Sequence, residues 1–426
     1  MARERTRVVI TSAAALCAVV TACSPSGTSG DAAPPATAGP AIASSTAVST
    51  APMSPSTPAV SPSPPAALHA SVNTHVAVAG KDFQPIAMID SNGPGDTADL
   101  MMLAIDGNRA VIARQPQPKG EILVGQPSLG LWSTQGVTLY PNRPSKIPQQ
   151  VVGAAYANGV IVWTETPSTS LADQPWRAFA VNTSGGPAHL LGDSESVTGA
   201  DDVPYAPDVQ SIATDGRQAW WTAPYVDKTR DNGFGLRVVG SPVTADRREP
   251  SVIADHAHLP LLVGGRLVVL RSPMSDPTGS QGRFAFVVPN PKGEEVVAAG
   301  PLGKTENIFS ACGSPHTLAY AVASSNSERG VLHIRDLTSG SETLIQLDDA
   351  AVALDLGCSD EIVAWGNGSG NGDPGQYVYD RRRSVLLRLG EVKGRSMVSV
   401  AGRTVIWATP PAQPKDPTVF AVATWL

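Results

Sequence analysis

The chain has 426 residues and a formal net charge of −6, from 31 Lys and Arg against 37 Asp and Glu. With no basic surplus and no Lys/Arg cluster beyond Arg381-Arg382-Arg383, it lacks the charge that neutralising phosphates demands, which excludes nucleic acid as a partner. Only four cysteines occur, so each calls for a reason.

At the start of the chain, Arg3, Arg5 and Arg7 stand against a single Glu4, and an uncharged, mostly apolar run from Val8 to Val20 follows. That is the layout of a secretory signal, too short for a bilayer span of about 20 residues. The next residues, Val20-Thr21-Ala22-Cys23, resemble the lipobox of bacterial lipoproteins, with Val20 where that family more often has Leu. The resemblance implies a signal peptide over residues 1–22 and cleavage before Cys23. It also implies diacylglyceryl and acyl groups on Cys23 that hold the protein on the outer face of the cell membrane. Cleavage would remove Cys17 with the signal, and three Arg with one Glu, shifting the net charge to −8. The excess of Arg over Lys and the abundance of Ala, Gly and Pro point to a GC-rich genome such as an actinobacterium's.

Residues 23–72 are nearly all Ser, Pro, Ala, Thr and Gly. Such a stretch cannot bury enough apolar surface to offset its ordering entropy, so it reads as a disordered, membrane-anchored linker. Fully extended as polyproline II it would reach on the order of 140 Å.

From residue 73 to 426 no run shows helical periodicity with caps. Short stretches of Val, Ile, Leu and Trp recur instead between Gly, Asp, Asn and Pro, the signature of strands and turns. One unit repeats: apolar strand, tight polar turn, apolar strand. Its turns centre near Gly107, Gly159, Gly216, Gly265, Gly313, Cys358 and Gly402, spaced 44 to 57 residues apart. A second hairpin follows in most units, clearest from Val331 to Leu347. Two hairpins per unit predict an all-β, seven-bladed β-propeller of four-stranded antiparallel blades, with six blades as the alternative because the first unit is irregular. After Thr409 only the stretch TVFAVATWL offers a further strand, which gives the last unit three. Its missing outer strand is expected from the segments HVAVAG or PIAMID before the first unit. Stretches such as "QYVYD" and "HIRDLTSG" resemble the TolB-like and WD-like propellers of bacterial envelope proteins.

Cys312 and Cys358 lie 46 residues apart, one repeat, at the same turn of adjacent units. In an exported chain they are expected to form a disulfide. A metal pair aided by His316 is the weaker alternative. Trp163, Trp221, Tyr320, Trp365 and Trp407 fall at matching places late in five second strands and are expected to fill the wedges between blades.

The connections between second and third strands are long and polar and should share one face. The richest carries Tyr225, Asp227, Lys228, Arg230 and Asp231, the candidate partner-binding loop. Catalytic signals are thin. No G-x-S-x-G elbow occurs, and the pair His256 and His258 lacks a third ligand, so neither a metal nor a cofactor is expected. The reading is a non-catalytic module of the cell envelope that binds a protein or glycan. The alternative is a hydrolase or lactonase-like enzyme drawing carboxylates such as Glu165 and Asp227 from loops on one face.

Overall fold

The computed structural model describes residues 68–69, 74–90, 100–106, 109–114, 117–119, 122–124, 127–140, 149–166, 175–198, 211–227, 234–244, 249–275, 282–324, 330–347, 353–367, 375–390, 398–409 and 419–426. Seven four-stranded antiparallel sheets are arranged in a ring, a seven-bladed β-propeller. Blade 1 is built from Leu100–Asp106, Arg109–Arg114, Ser128–Ser133 and Gly136–Leu139. Blade 2 runs from Gln150–Ala157 to His189–Asp193, and blade 3 from Ile212–Thr214 to Ser251–Asp255. Blade 4 spans His258–Val263 to Glu295–Pro301, blade 5 Glu306–Gly313 to Glu342–Gln346, and blade 6 Ala353–Cys358 to Val385–Gly390. Six blades are ruled out. The first unit looked irregular because a small extra hairpin, Gln117–Lys119 with Ile122–Val124, is inserted between its second and third strands.

Blade 7 closes the ring as the short last unit demanded. Val398–Ala401, Thr404–Thr409 and Val419–Trp425 supply three strands, and Phe83–Asp90 pairs antiparallel with the last of them as the outer strand. Residues 83–90 contain the PIAMID segment. The HVAVAG segment has another place. Its His75–Val76 lies parallel on the outer strand of blade 6, and Leu68–His69, inside the stretch read as linker, lies parallel on that of blade 5. The N-terminal side of the domain thus runs along the rim from blade 5 to blade 7.

The core is a set of seven apolar clusters, one at each seam between neighbouring blades. This is the packing that a repeat requires when no single blade can cover its own faces. Trp163, Trp221, Tyr320, Trp365 and Trp407 are all buried in these seams. The turns of the first hairpins meet near the axis. There Asn158 and Gly159 adopt φ of 48° and 80°, the positive values a tight hairpin needs. Gly216 (φ 86°) has to be glycine for a second reason: a Cβ there would lie 2.7 Å from the Cβ of Asn158 in the next blade.

The seam between blades 5 and 6 carries the Cys312–Cys358 disulfide, with Cα atoms 5.7 Å apart. Beside it the Ser314 hydroxyl and the His316 amide both donate to Asp360 Oδ1, at 2.5 and 2.8 Å. Arg381 reaches back from blade 6 to Asp336 (2.7 Å) and to the Thr317 hydroxyl. Asp336 is held down to about 2, first by the Ser339 amide and then by its hydroxyl, the Thr338 amide and Arg381. Ring closure has its own polar fastening. The Trp425 indole donates to Asp380 Oδ2 at 2.9 Å, and Arg383 bridges Asp380 (2.7 Å) and Asp82 (2.9 Å).

Candidate functional site

In each blade the second strand ends, the third begins and the fourth ends on one face of the disc, the loop face. Of the candidate loop, Tyr225 and Asp227 are described, whereas Lys228, Arg230 and Asp231 lie outside the described residues, as does Cys23. Tyr225 is the last residue but one of the strand Gln218–Val226, opposite Gly235 on the strand Phe234–Pro242. Its ring lies across Gly235, where a Cβ would come within 2.7 Å of the ring. The guanidinium of Arg237 sits over the ring, 4.5 Å from its centre, and donates from Nη2 to the Val197 carbonyl at 2.9 Å. The Tyr225 hydroxyl shares a hydrogen bond of 3.3 Å with His256 Nδ1.

His256 follows the outer strand of blade 3 and adopts φ 52°. A left-handed histidine is uncommon, and such conformations persist where surrounding structure holds them. Here Arg271 of blade 4 does the holding. Its Nη1 donates to the carbonyls of Asp255 (2.7 Å) and His256 (3.1 Å), while Glu294 pairs with the same guanidinium. The turn also separates the two histidines that extended backbone would have placed on one face. His258 points into the core, fully buried, and dehydration lowers its imidazole to about 3. Among the described residues no three His, Cys, Asp or Glu side chains gather to hold a metal.

Glu165 and Asp227 occupy blades 2 and 3 respectively. Glu165 is buried and committed to two partners: the Trp163 indole donates to one oxygen at 2.8 Å, and Arg177 Nη2 to the other at 2.7 Å. Burial raises its carboxyl above the usual range, against the lowering effects of Trp163 and Arg177. A second raised acid was not singled out from sequence. Asp355, on the innermost strand of blade 6 with φ 48°, touches water yet is hemmed in by protein, and dehydration pushes it up to about 7.

Arg237, Arg271 and the Tyr225–His256 contact were also missed, although the signal was present. "VWTET" and "WWTAP" align Trp163-Thr164-Glu165 with Trp221-Thr222-Ala223, and the third strands align Arg177 with Arg237. The structure puts both pairs in one frame. Glu165 lies opposite Arg177 and Ala223 opposite Arg237, and a bulge follows each arginine.

No protein-family model matches the chain, and no curated protein matches it by sequence. Several solved structures resemble it over most of its length. A puromycin-hydrolyzing peptidase from Mycobacterium tuberculosis is 12% identical over 82% of this chain and 55% of its own, with a TM-score of 0.45. The Pyrococcus horikoshii acylaminoacyl peptidase is 10% identical over 79% and 53%, at 0.48. An oligogalacturonate lyase from Vibrio parahaemolyticus is 8% identical over 80% and 98%, at 0.47. The chain thus spans about half the length of the two peptidases. At these identities and scores the likenesses carry no argument about activity.

Proposed function

We propose that this is a lipid-anchored, extracytoplasmic lipoprotein whose propeller binds another envelope protein or a wall glycan through its loop face, without catalysis. The observation that carries the reading is the Cys312–Cys358 bridge between neighbouring blades, because such bonds persist in oxidising, exported compartments. The lipobox-like Val20–Cys23 and the Pro/Ser tract after it supply the anchor and the reach. The rim path of residues 68–90 supports it further, since the segment nearest the tether meets the disc at its edge rather than across the loop face. The actinobacterial origin belongs to this proposal and rests on composition.

The test uses the full exported chain. Cys23→Ala should move the protein from the membrane fraction to the soluble extracytoplasmic fraction; continued tight membrane association would refute the anchor. The released form then serves as bait in an envelope extract. One protein or glycan captured in near-equal amount supports the binder, and no capture refutes it.

One observation favours the enzymatic reading: a buried carboxyl of raised pKa, Glu165, stands where a loop leaves blade 2. Glu165→Gln separates the two. An enzyme would lose turnover on wall glycans or lactones, whereas a binder would lose only stability.

A further inference from the structure

The innermost strand of blade 6, Ala353–Cys358, carries Asp355 on a bulge. Leu354 pairs with Gly366 and Gly357 with Ala364, so Asp355 and Leu356 stand together opposite Trp365. Asp355 there adopts φ 48°. Blade 4 builds the same bulge at the same point: Leu259 and Pro260 stand opposite Val269, and Leu259 adopts φ 50°. That leucine is buried in the seam toward blade 5. The bulge therefore does not call for a charged residue. Asparagine would accept the left-handed backbone as readily as aspartate, with no charge to dehydrate.

Asp355 is exposed, two residues in from the loop-face end of its strand. That strand packs between the innermost strands of blades 5 and 7, Glu306–Gly313 and Val398–Ala401, and pairs with Ile362–Asn367 of its own blade. The side left open is the axis of the ring. Elsewhere in blades 5 and 6 the carboxylates are supplied with donors: Asp336 with four, Asp360 by Ser314 and His316, and Asp380 by Trp425 and Arg383. Among the described residues, neither a hydrogen bond nor a neighbouring charge acts on the Asp355 carboxyl; dehydration alone does. The wall of the axis holds no counter-ion for it. The seven innermost strands read LMMLAID, QVVGAAYA, IAT, HLPLLV, ENIFSACG, ALDLGC and VSVA, without one Lys or Arg.

A carboxylate so placed has lost water and gained nothing in exchange, and it recovers that loss when a cation arrives from outside. A metal ion is the poorer match. Calcium takes about six to eight oxygen ligands, and no three His, Cys, Asp or Glu side chains gather among the described residues. An alkylammonium suits the place better. Its head brings three N–H donors to the carboxylate, and its stem meets a mostly aliphatic wall.

We propose that Asp355 is the anchoring acid of an axial site, entered from the loop face, that takes an alkylammonium group. The group is borne by a free amine or by a lysine side chain of a partner protein. The site goes beyond the envelope-binding reading and does not depend on the lipid anchor.

The test is a calorimetric titration of the full exported chain, in mild detergent, with n-butylammonium chloride. Sodium chloride, calcium chloride and 1-butanol serve as controls. Saturable binding of n-butylammonium, with none of sodium or butanol, is expected. Asp355→Asn, which suits the same left-handed turn, should weaken that binding about tenfold or more, as loss of a charge-assisted pair implies. The wild-type contrast between n-butylammonium and butanol tests the charge even where the variant fails to fold. Nα-acetyl-lysinamide binding more tightly than n-butylammonium would assign the ligand to a protein's lysine, and the reverse order to a free amine; either carries the site. No saturable n-butylammonium binding, equal affinity in Asp355→Asn, equal binding of butanol, or tighter binding of calcium would each overturn it. An envelope partner captured by a chain that binds no amine would sink this site while leaving the binding function standing.

Discussion

The seam between blades 5 and 6 and the seam between blades 3 and 4 are the same joint of the same repeat, built to different strengths. The first buries thirteen residues including Trp365, Tyr377 and Tyr379, and adds the disulfide, the Asp360 node and the Arg381–Asp336 pair. The second buries five aliphatic residues, Val238, Ala254, Ala257, Val269 and Val287. Its cross-blade ties are Thr222 Oγ1 accepting from the Leu259 amide at 3.1 Å and Arg271 on the Asp255 and His256 carbonyls. Identical topology therefore does not distribute stability evenly around a ring. The left-handed His256, clamped from blade 4 by Arg271, sits at the thinner joint.

Breaking the covalent tie at the strong seam should have the largest effect. Replacing Cys312 and Cys358 together by serine should cost roughly 4 kcal/mol, given the closed loop of 46 residues, and lower the urea midpoint. A midpoint unchanged from the oxidised wild type would mean that the packing alone holds blades 5 and 6.

Next comes the pH response of the weaker seam, through His258. Its folded-state pKa lies at about 3, below the unfolded value near 6.5, so the unfolded chain binds the proton more readily. Its contribution is fully present above about pH 6.5 and is lost as pH falls toward 3, on the order of 3 kcal/mol of it by pH 4. Asp355, raised to about 7, has the opposite slope between about pH 4 and 7, so the comparison has to be made against a His258→Leu variant. Melting temperatures followed from pH 7 to 4 should fall less steeply in that variant. Parallel slopes would show that His258 charges without unfolding anything.

Val269→Ala should cost about 2 kcal/mol by chemical denaturation, from the lost apolar burial and the void left in a five-residue cluster. A loss below about 0.5 kcal/mol would mean that the seam collapses to fill the space. Smallest is Thr222→Val, which leaves the Leu259 amide without its acceptor and should cost about 1 kcal/mol. Hydrogen exchange at Leu259 gives the finer reading: faster exchange confined to blades 3 and 4 would confirm that the two seams open independently.

Much of this was legible beforehand because the repeat is a chemical pattern before it is a shape. Glycine turns at a steady spacing located six of the seven first hairpins, and Cys312 with Cys358 declared adjacency by lying one repeat apart. The three-strand last unit announced its partner among residues 83–90. What stayed hidden depends on departures from the pattern. His256 read as sharing one extended face with His258, since nothing local reveals that a carbonyl clamp from blade 4 turns its backbone left-handed. Leu68 looked like linker, because a two-residue strand draws its meaning from the edge it lands on. Arg237 stood out only against Arg177, once both strands were in register and the missing carboxylate could be seen.

The path of the N-terminal side along the rim also has a mechanical consequence. A pull applied ahead of Leu68 loads first the two-residue parallel pair on blade 5, then the two-residue pair on blade 6. Only after both have parted does force reach Phe83–Asp90, whose seven paired positions complete blade 7. The molecule carries two weak, re-formable links in series ahead of its main closure. Tension would be absorbed by lengthening the leash before any blade is torn from the disc.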